Sequence, residues 1–187
     1  MQNRYSLVIS PPQDVIDQVK SMKEALAKEI GWYNSKNSLA HITINEFMAS
    51  EIEMESIKKQ LNTICNSLKP ISVCLDSFNN YSNGAFFVGP DETSKINLKQ
   101  ILVQVNQSFR AKTLFKNTEP HLSIGRRLSA ENLTKAYYLF SDPIELQFIC
   151  DNISLRLFNP DIKQFEIIEH FEFKNNPPPV YKQGTLF

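Results

Sequence analysis

Three histidines occur in the 187 residues. Two of them, His41 in AHITINEF and His121 in PHLSIGRRL, head short half-apolar runs, each with a hydroxyl residue, Thr43 or Ser123, two places on. Side chains alternate across a strand, so His41, Thr43 and Asn45 are expected on one face, with Ile42 and Ile44 on the other. The same parity groups His121, Ser123, Gly125 and Arg127 opposite Leu122 and Ile124. Two such strands, related by a rough two-fold axis, would bring an imidazole and a hydroxyl from each side to one place. That set suits phosphoester chemistry. One imidazole takes a proton from the attacking oxygen while the other gives one to the leaving oxygen. Thr43 and Ser123 would donate hydrogen bonds to the non-bridging phosphate oxygens as charge builds on them. Arg127 would add a charge-assisted contact to the phosphate or to a substrate end. No metal or other cofactor is required.

The third histidine, His170, has Glu172 two places on. Alternation puts it on a face with Glu166, Ile168 and Glu172, as expected for a solvated edge residue. A zinc site built from His41, His121 and His170 is the metal alternative, but no H-x-x-x-H or C-x-x-C spacing supports it.

The elements around the two motifs repeat. Residues 4 to 10 suggest a strand, and Pro11-Pro12 stop it and open a helix. Val15, Val19, Met22, Leu26 and Ile30 recur at helical spacing up to Gly31, and the first histidine strand follows. Ile52, Ile57, Leu61, Ile64 and Leu68 mark a second helix. Pro70 closes it before two strands, ISVCLDSF and GAFFVG, around the turn signal Asn83-Gly84. Leu98, Leu102, Val105 and Phe109 mark a third helix ahead of the second histidine strand. A helix with Leu133, Tyr137 and Phe140 and a long hairpin from Ile144 to about Phe173 complete the second unit. The expected fold is α+β. Two pseudo-symmetric lobes, each an antiparallel sheet with helices on its outer face, would meet at a central groove over residues 1–174.

Lys and Arg number 20 and so do Asp and Glu. The absence of net charge argues against bulk binding to nucleic acid or an anionic membrane, and any anion site must be local. The three cysteines lack close spacing and are expected as buried free thiols. With no apolar run long enough for a signal core or a span, the expected location is the cytoplasm, and the expected state a monomer.

HITI and HLSI with their separation, the Pro-His before the second motif, and the opening YSLVISPP followed by a helix resemble the 2H phosphoesterase superfamily. This group includes the so-called 2′-5′ RNA ligases and cyclic nucleotide phosphodiesterases. The resemblance covers about residues 4 to 174. It implies two pseudo-symmetric lobes whose His-x-Thr/Ser motifs face each other across a groove. It also implies metal-free action on 2′,3′-cyclic phosphates, 2′-5′ phosphodiesters or related cyclic phosphates, with an RNA end or a small nucleotide as substrate. Carried over, it makes His41 and His121 the acid–base pair and Thr43 and Ser123 the phosphate ligands. It does not say which histidine is the base, nor whether hydrolysis or ligation is the natural direction. Trp32, Tyr33, Phe47 and Phe158 are candidates for stacking a base. The competing function class is an RNA- or nucleotide-binding module without catalysis, against which the intact acid–base pair argues.

Residues 175–187, NNPPPVYKQGTLF, lack periodicity and are expected as a flexible or extended tail. The end, QGTLF, resembles the short motif by which bacterial proteins bind the replication sliding clamp, with Gln183, Leu186 and Phe187 at matching positions. The other reading is that Leu186 and Phe187 fold back on the domain.

Overall fold

Strand β1 (Asn3–Ile9) ends two residues before Pro11-Pro12, and Pro12 caps helix α1 (Gln13–Ile30), whose last turn is closed by Gly31 with φ 76°. Such a positive φ favours glycine. The computed structural model describes residues 2–176. Strand β2 (Ile42–Ala49) leads into helix α2 (Glu51–Ser67). There Ser50 and Glu53 cap each other's backbone N–H groups, which satisfies two of the donors a helix start leaves unpaired. Strands β3 (Ile71–Asn80) and β4 (Phe86–Pro90) form the hairpin marked by Asn83-Gly84, and helix α3 (Glu92–Ser108) follows, capped by Asp91. The second half continues through β5 (Thr113–Lys116), β6 (Leu122–Gly125), helix α4 (Ala130–Leu139), β7 (Leu146–Cys150), β8 (Asn152–Asn159) and β9 (Gln164–Glu172).

The fold is α+β, with every strand pairing antiparallel in one sheet of order β7-β3-β4-β6-β2-β1-β8-β9, and β5 beside β2. The two halves expected from the sequence are therefore the two ends of one sheet. They join where β2 meets β6, through the pair Ile42–Leu122. The halves are also not sequential. Hairpin β3–β4 pairs with β6 from the second unit, and β8 pairs with β1 from the first. Helix α1 likewise packs on β6, β7 and α4, so each half of the chain completes the other. Two strand assignments change. Short β5, with no clear alternation in TLFK, goes unseen in the sequence. The region expected as one final hairpin contains three strands, because β7 leaves the hairpin to pair with β3.

One apolar cluster runs along the helix-covered side of the sheet, and Leu7, Ile9, Ile42, Ile44, Leu122 and Ile124 are fully buried in it. Each such side chain stabilises the fold by about 1.5–3 kcal/mol, against at most about 1 kcal/mol for an exposed ion pair such as Lys20–Glu24. The helix faces follow the apolar spacing with three exceptions. Ile52 is 89% and Tyr137 40% exposed, and Lys23 is buried within the α1 stripe.

The turn at Gly84 (φ 79°) packs against the chain leaving β6. Its carbonyl accepts from the Leu128 N–H at 2.9 Å, and a Cβ at position 84 would lie 2.3 Å from the Leu128 carbonyl oxygen. Glycine is required there both by backbone conformation and by contact. Cys65 and Cys150 are buried thiols and Cys74 is half-buried, all three unpaired. Among the described residues no helix is long and apolar enough to cross a membrane. Asn175 and Asn176, which begin the expected tail, donate backbone hydrogen bonds to the carbonyls of Leu68 and Asn66 at the end of α2. The clamp-like residues Gln183, Leu186 and Phe187 lie outside the described residues.

Candidate active site

The Ile42–Leu122 pair is the hub of the site. In an antiparallel ladder the residues one step out on either side face each other, so His41 stands across from Ser123 and Thr43 across from His121. A two-fold axis through the pair exchanges the two motifs. His41, Thr43, His121 and Ser123 are all half-buried and share the sheet face away from the helices. The sequence-derived expectation that these four side chains converge agrees with this register.

Each imidazole is oriented in the same way. His41 Nδ1 donates to the Leu39 carbonyl at 2.6 Å, and His121 Nδ1 to the Glu119 carbonyl at 2.8 Å, which leaves Nε2 of each ring free for proton transfer. Both carbonyls lie in pinned loops. Buried Lys23 reaches from α1 to the Ser38 carbonyl at 2.7 Å and the Ser38 hydroxyl at 3.2 Å. Asn117 donates to the Thr43 carbonyl at 2.9 Å and accepts from the Glu119 N–H at 3.2 Å, tying one motif to the loop that enters the other. Sequence reasoning missed both residues. A lone lysine in an apolar stripe was the available signal for Lys23, and Asn117 had none.

The strands do not stay regular beyond the motifs. Along β2, Leu7 faces Asn45 while Val8 faces Thr43, so Ile44 is an extra residue. Along β6, Phe86 faces Gly125 while Phe87 faces Ser123, so Ile124 is the extra one. The two bulges fall three residues after each histidine and reverse the alternation there. Asn45 and Gly125, expected beside the histidines, turn to the core side. Asn45 is fully buried and bonded to Asn106 of α3 at 2.9 Å, and a Cβ at Gly125 would meet Leu128 at 2.9 Å. Glu46 and Arg126 take over the histidine face.

This corrects the expectation for Arg127. Both arginines are exposed, but Arg127 lies past the bulge with φ 57°, whereas Arg126 is the arginine whose charge bears on both imidazoles. The Arg126 N–H also donates to the Asn34 carbonyl at 3.2 Å, which joins the loop before His41 to the end of β6. Arg126→Ala is expected to raise KM for a phosphate ester by about tenfold, the loss of one charge-assisted contact, while Arg127→Ala stays within about twofold. Steady-state kinetics on the two variants checks this.

Both imidazoles sit below the usual histidine range. Burial lowers His41 well below it, and the positive charges of Arg156, Lys23 and Arg126 add to the effect, against the opposing hydrogen bond to Leu39. Burial also lowers His121, with Arg126 adding to it, while the Glu119 carbonyl and carboxylate pull the other way. The cations around the pair supply the local positive field that a chain of zero net charge needs for an anion site. His121 also packs against the rings of Phe87 and Tyr81, with centroids 4.9 and 5.3 Å away. Sequence reasoning did not select these two rings. Of the rings it did select, Tyr33 and Phe47 are core residues, Trp32 is 72% exposed in the loop after α1, and Phe158 pairs with Phe165.

His170 lies on edge strand β9 and is exposed, but a third bulge, at Ile168, reverses its expected parity. It faces Ser154, bonded at 2.9 Å, and through Ser154 and Val8 it stands in the same row as Thr43. Among the described residues no group of three or more His, Cys, Asp or Glu side chains is placed to hold a metal ion.

The geometry has counterparts among known proteins. Residues 11–161 match the family model of the 2'-5' RNA ligase superfamily. No curated protein sequence matches the chain. Among solved structures, Escherichia coli LigT complexed with 3'-AMP superimposes with a TM-score of 0.63 at 9% identity, over 92% of this chain and 99% of that one. TT0787 of Thermus thermophilus gives 0.59 at 14% identity, over 91% and 98%. Usb1 of Kluyveromyces marxianus gives 0.53 at 15%, over 91% and 98%. At these identities the superpositions carry the fold alone, a mixed α+β arrangement like that of LigT, and the family match carries the rest. A match over most of its length shows that the chain belongs to the 2'-5' RNA ligase superfamily of 2H phosphoesterases, whose activity is of the phosphodiesterase type.

Proposed function

We propose that the protein is a metal-independent, cytoplasmic phosphodiesterase that opens a 2′,3′-cyclic phosphate, or cleaves a 2′-5′ linkage, at an RNA end or in a nucleotide. The observation that carries this reading is the two-fold arrangement at Ile42–Leu122, which offers two carbonyl-oriented imidazoles and two hydroxyls to one phosphate. The nucleotide bound to LigT, named with that structure, lends support by likeness of fold.

His41, more strongly held neutral, serves as general base, and His121, whose charge Glu119 favours, as general acid. His41 Nε2 takes a proton from water as its oxygen bonds to phosphorus. The P–O bond to one ribose oxygen breaks, and His121 Nε2 gives that oxygen its proton. Thr43 and Ser123 donate to the two non-bridging oxygens, where charge grows in the transition state. With an RNA 5′-hydroxyl in place of water, the same pair would run a ligation. A binding module would need the cations but not two imidazoles with free Nε2 atoms.

A substrate panel tests the reading: a 2′,3′-cyclic mononucleotide, RNA ending in a 2′,3′-cyclic phosphate, and 2′-5′ oligoadenylate, each with and without EDTA. Turnover of at least one, unchanged by EDTA, is expected. Loss of activity on chelation would reject metal independence, and binding without turnover of any of them would leave the binding module.

A further inference from the structure

Beyond the paired histidines, on the same sheet face, lies a charged cluster that makes no contact in the chemistry above, although the charge of Arg156 helps hold His41 neutral. In β1, Ser6 faces Glu46 on one side and Arg156 on the other, so the three stand in one row across β2, β1 and β8, next to the row of Thr43, Val8 and Ser154. Arg156 is 6% exposed. One of its terminal nitrogens donates to the Ser6 hydroxyl at 3.1 Å, its Nε has no partner, and its guanidinium lies 5.0 Å from the centre of the Phe165 ring. Glu46, the carboxylate in this row, is engaged by Arg4, whose Nε donates to it at 3.1 Å. The Arg4 guanidinium lies 5.5 Å from the centre of the same Phe165 ring.

The cluster thus holds two guanidiniums and one carboxylate. A buried cation without an ion-paired carboxylate is costly; burial lowers the pKa of Arg156 to about 10, and only the charge of Glu46, itself bonded to Arg4, opposes this. The Ser6 hydrogen bond and the Phe165 ring offset part of that cost, and Glu46 is shared with Arg4, so the cluster keeps one positive charge in excess. An anion arriving at the half-exposed Arg4 side chain would complete the pairing. One strand sideways and four residues along separate Thr43 from Arg4, roughly 14 Å between backbones, so Arg4 stands farther along the histidine face than a group bound at Thr43.

We propose that Arg4, Arg156 and Ser6 form a second phosphate subsite, so that the substrate is an oligonucleotide end carrying an internucleotide phosphate besides the reacting one. This rests on the phosphodiesterase reading. Arg4 makes the contact, Arg156 adds the second positive charge, which the one carboxylate cannot balance for both, and Glu46 sets the strength by competing for Arg4.

The test compares kcat/KM for a dinucleotide ending in a 2′,3′-cyclic phosphate with that for the cyclic mononucleotide. Arg4→Gln is expected to lower the dinucleotide-to-mononucleotide ratio by about tenfold, and Glu46→Gln to raise it severalfold, a gain that damage to the fold would not produce. Arg156→Gln is expected to lower the ratio and Arg156→Lys to preserve it. Should the Arg156 variants not fold, the opposite signs at Arg4 and Glu46 decide alone. Ratios that stay within twofold in the Arg4 and Glu46 variants overturn the subsite. If the wild type turns over neither compound, the catalytic reading fails, and calorimetry with 3′-phosphorylated mono- and dinucleotides still tests the subsite. Tighter dinucleotide binding that Arg4→Gln abolishes supports it, and equal binding of the two ligands overturns it.

Discussion

His41→Ala and His121→Ala each lower kcat/KM by about a hundredfold or more, the usual contribution of a positioned acid or base. Both imidazoles hold their ring through Nδ1 and present Nε2, so alanine removes the proton carrier without opening the core, and both variants are expected to fold. The losses are not additive. Once one partner is gone the concerted transfer is lost, so the double variant is only slightly worse than the poorer single one. Thr43→Ala and Ser123→Ala cost less, because each leaves one donor on the phosphate. Single-turnover kinetics with circular dichroism of each variant checks this. A folded histidine variant with near-normal turnover would disprove the paired mechanism.

From about pH 6.5 to 8.5, kcat/KM falls by about a hundredfold. The reason is that the free enzyme must carry one neutral and one charged imidazole, and both are lowered from 6.5. Above the higher of the two values the charged acid disappears tenfold per unit, and below the lower value the base is protonated. The bell therefore centres on the acid side of neutrality, whereas unshifted imidazoles would centre it near 6.5. The sign for stability follows from the same shifts. A folded state that holds histidine neutral binds fewer protons than the unfolded chain, so this contribution is complete above 6.5 and is lost as pH falls through 6.5 toward the folded values. His41→Gln should flatten that acid loss. A pH series of kcat/KM, with denaturant midpoints for wild type and His41→Gln, checks both. An optimum above neutrality would mean that the acid is not an imidazole lowered by burial.

Period and punctuation in the sequence were enough for the helices, the Asn83-Gly84 hairpin and the two histidine strands, because these depend on nearest neighbours along the chain. The first step of each motif was also legible. Two residues apart on a strand means one face, and nothing intervenes between His41 and Thr43 or between His121 and Ser123. Alternation stopped being a guide at Ile44 and Ile124, where the bulges reverse it. A bulge is a mismatch in count between two paired strands, and the partners of β2 and β6 lie far away in the chain. This is why Arg126 replaced Arg127, why Glu46 joined the histidine face, and why Asn45 left it.

The exchange of strands between the two halves is likewise a matter of pairing, since no local pattern tells β3–β4 to join β6 rather than β2. Arg156 shows the limit most clearly. Its partner Ser6 is 150 residues away, and within its own strand it reads as an ordinary polar position. The sequence by itself determined that each histidine shares a strand face with a hydroxyl, because that is set by spacing within one strand. Only the tertiary structure decided the charges around them, because electrostatic neighbours are chosen by which strands meet.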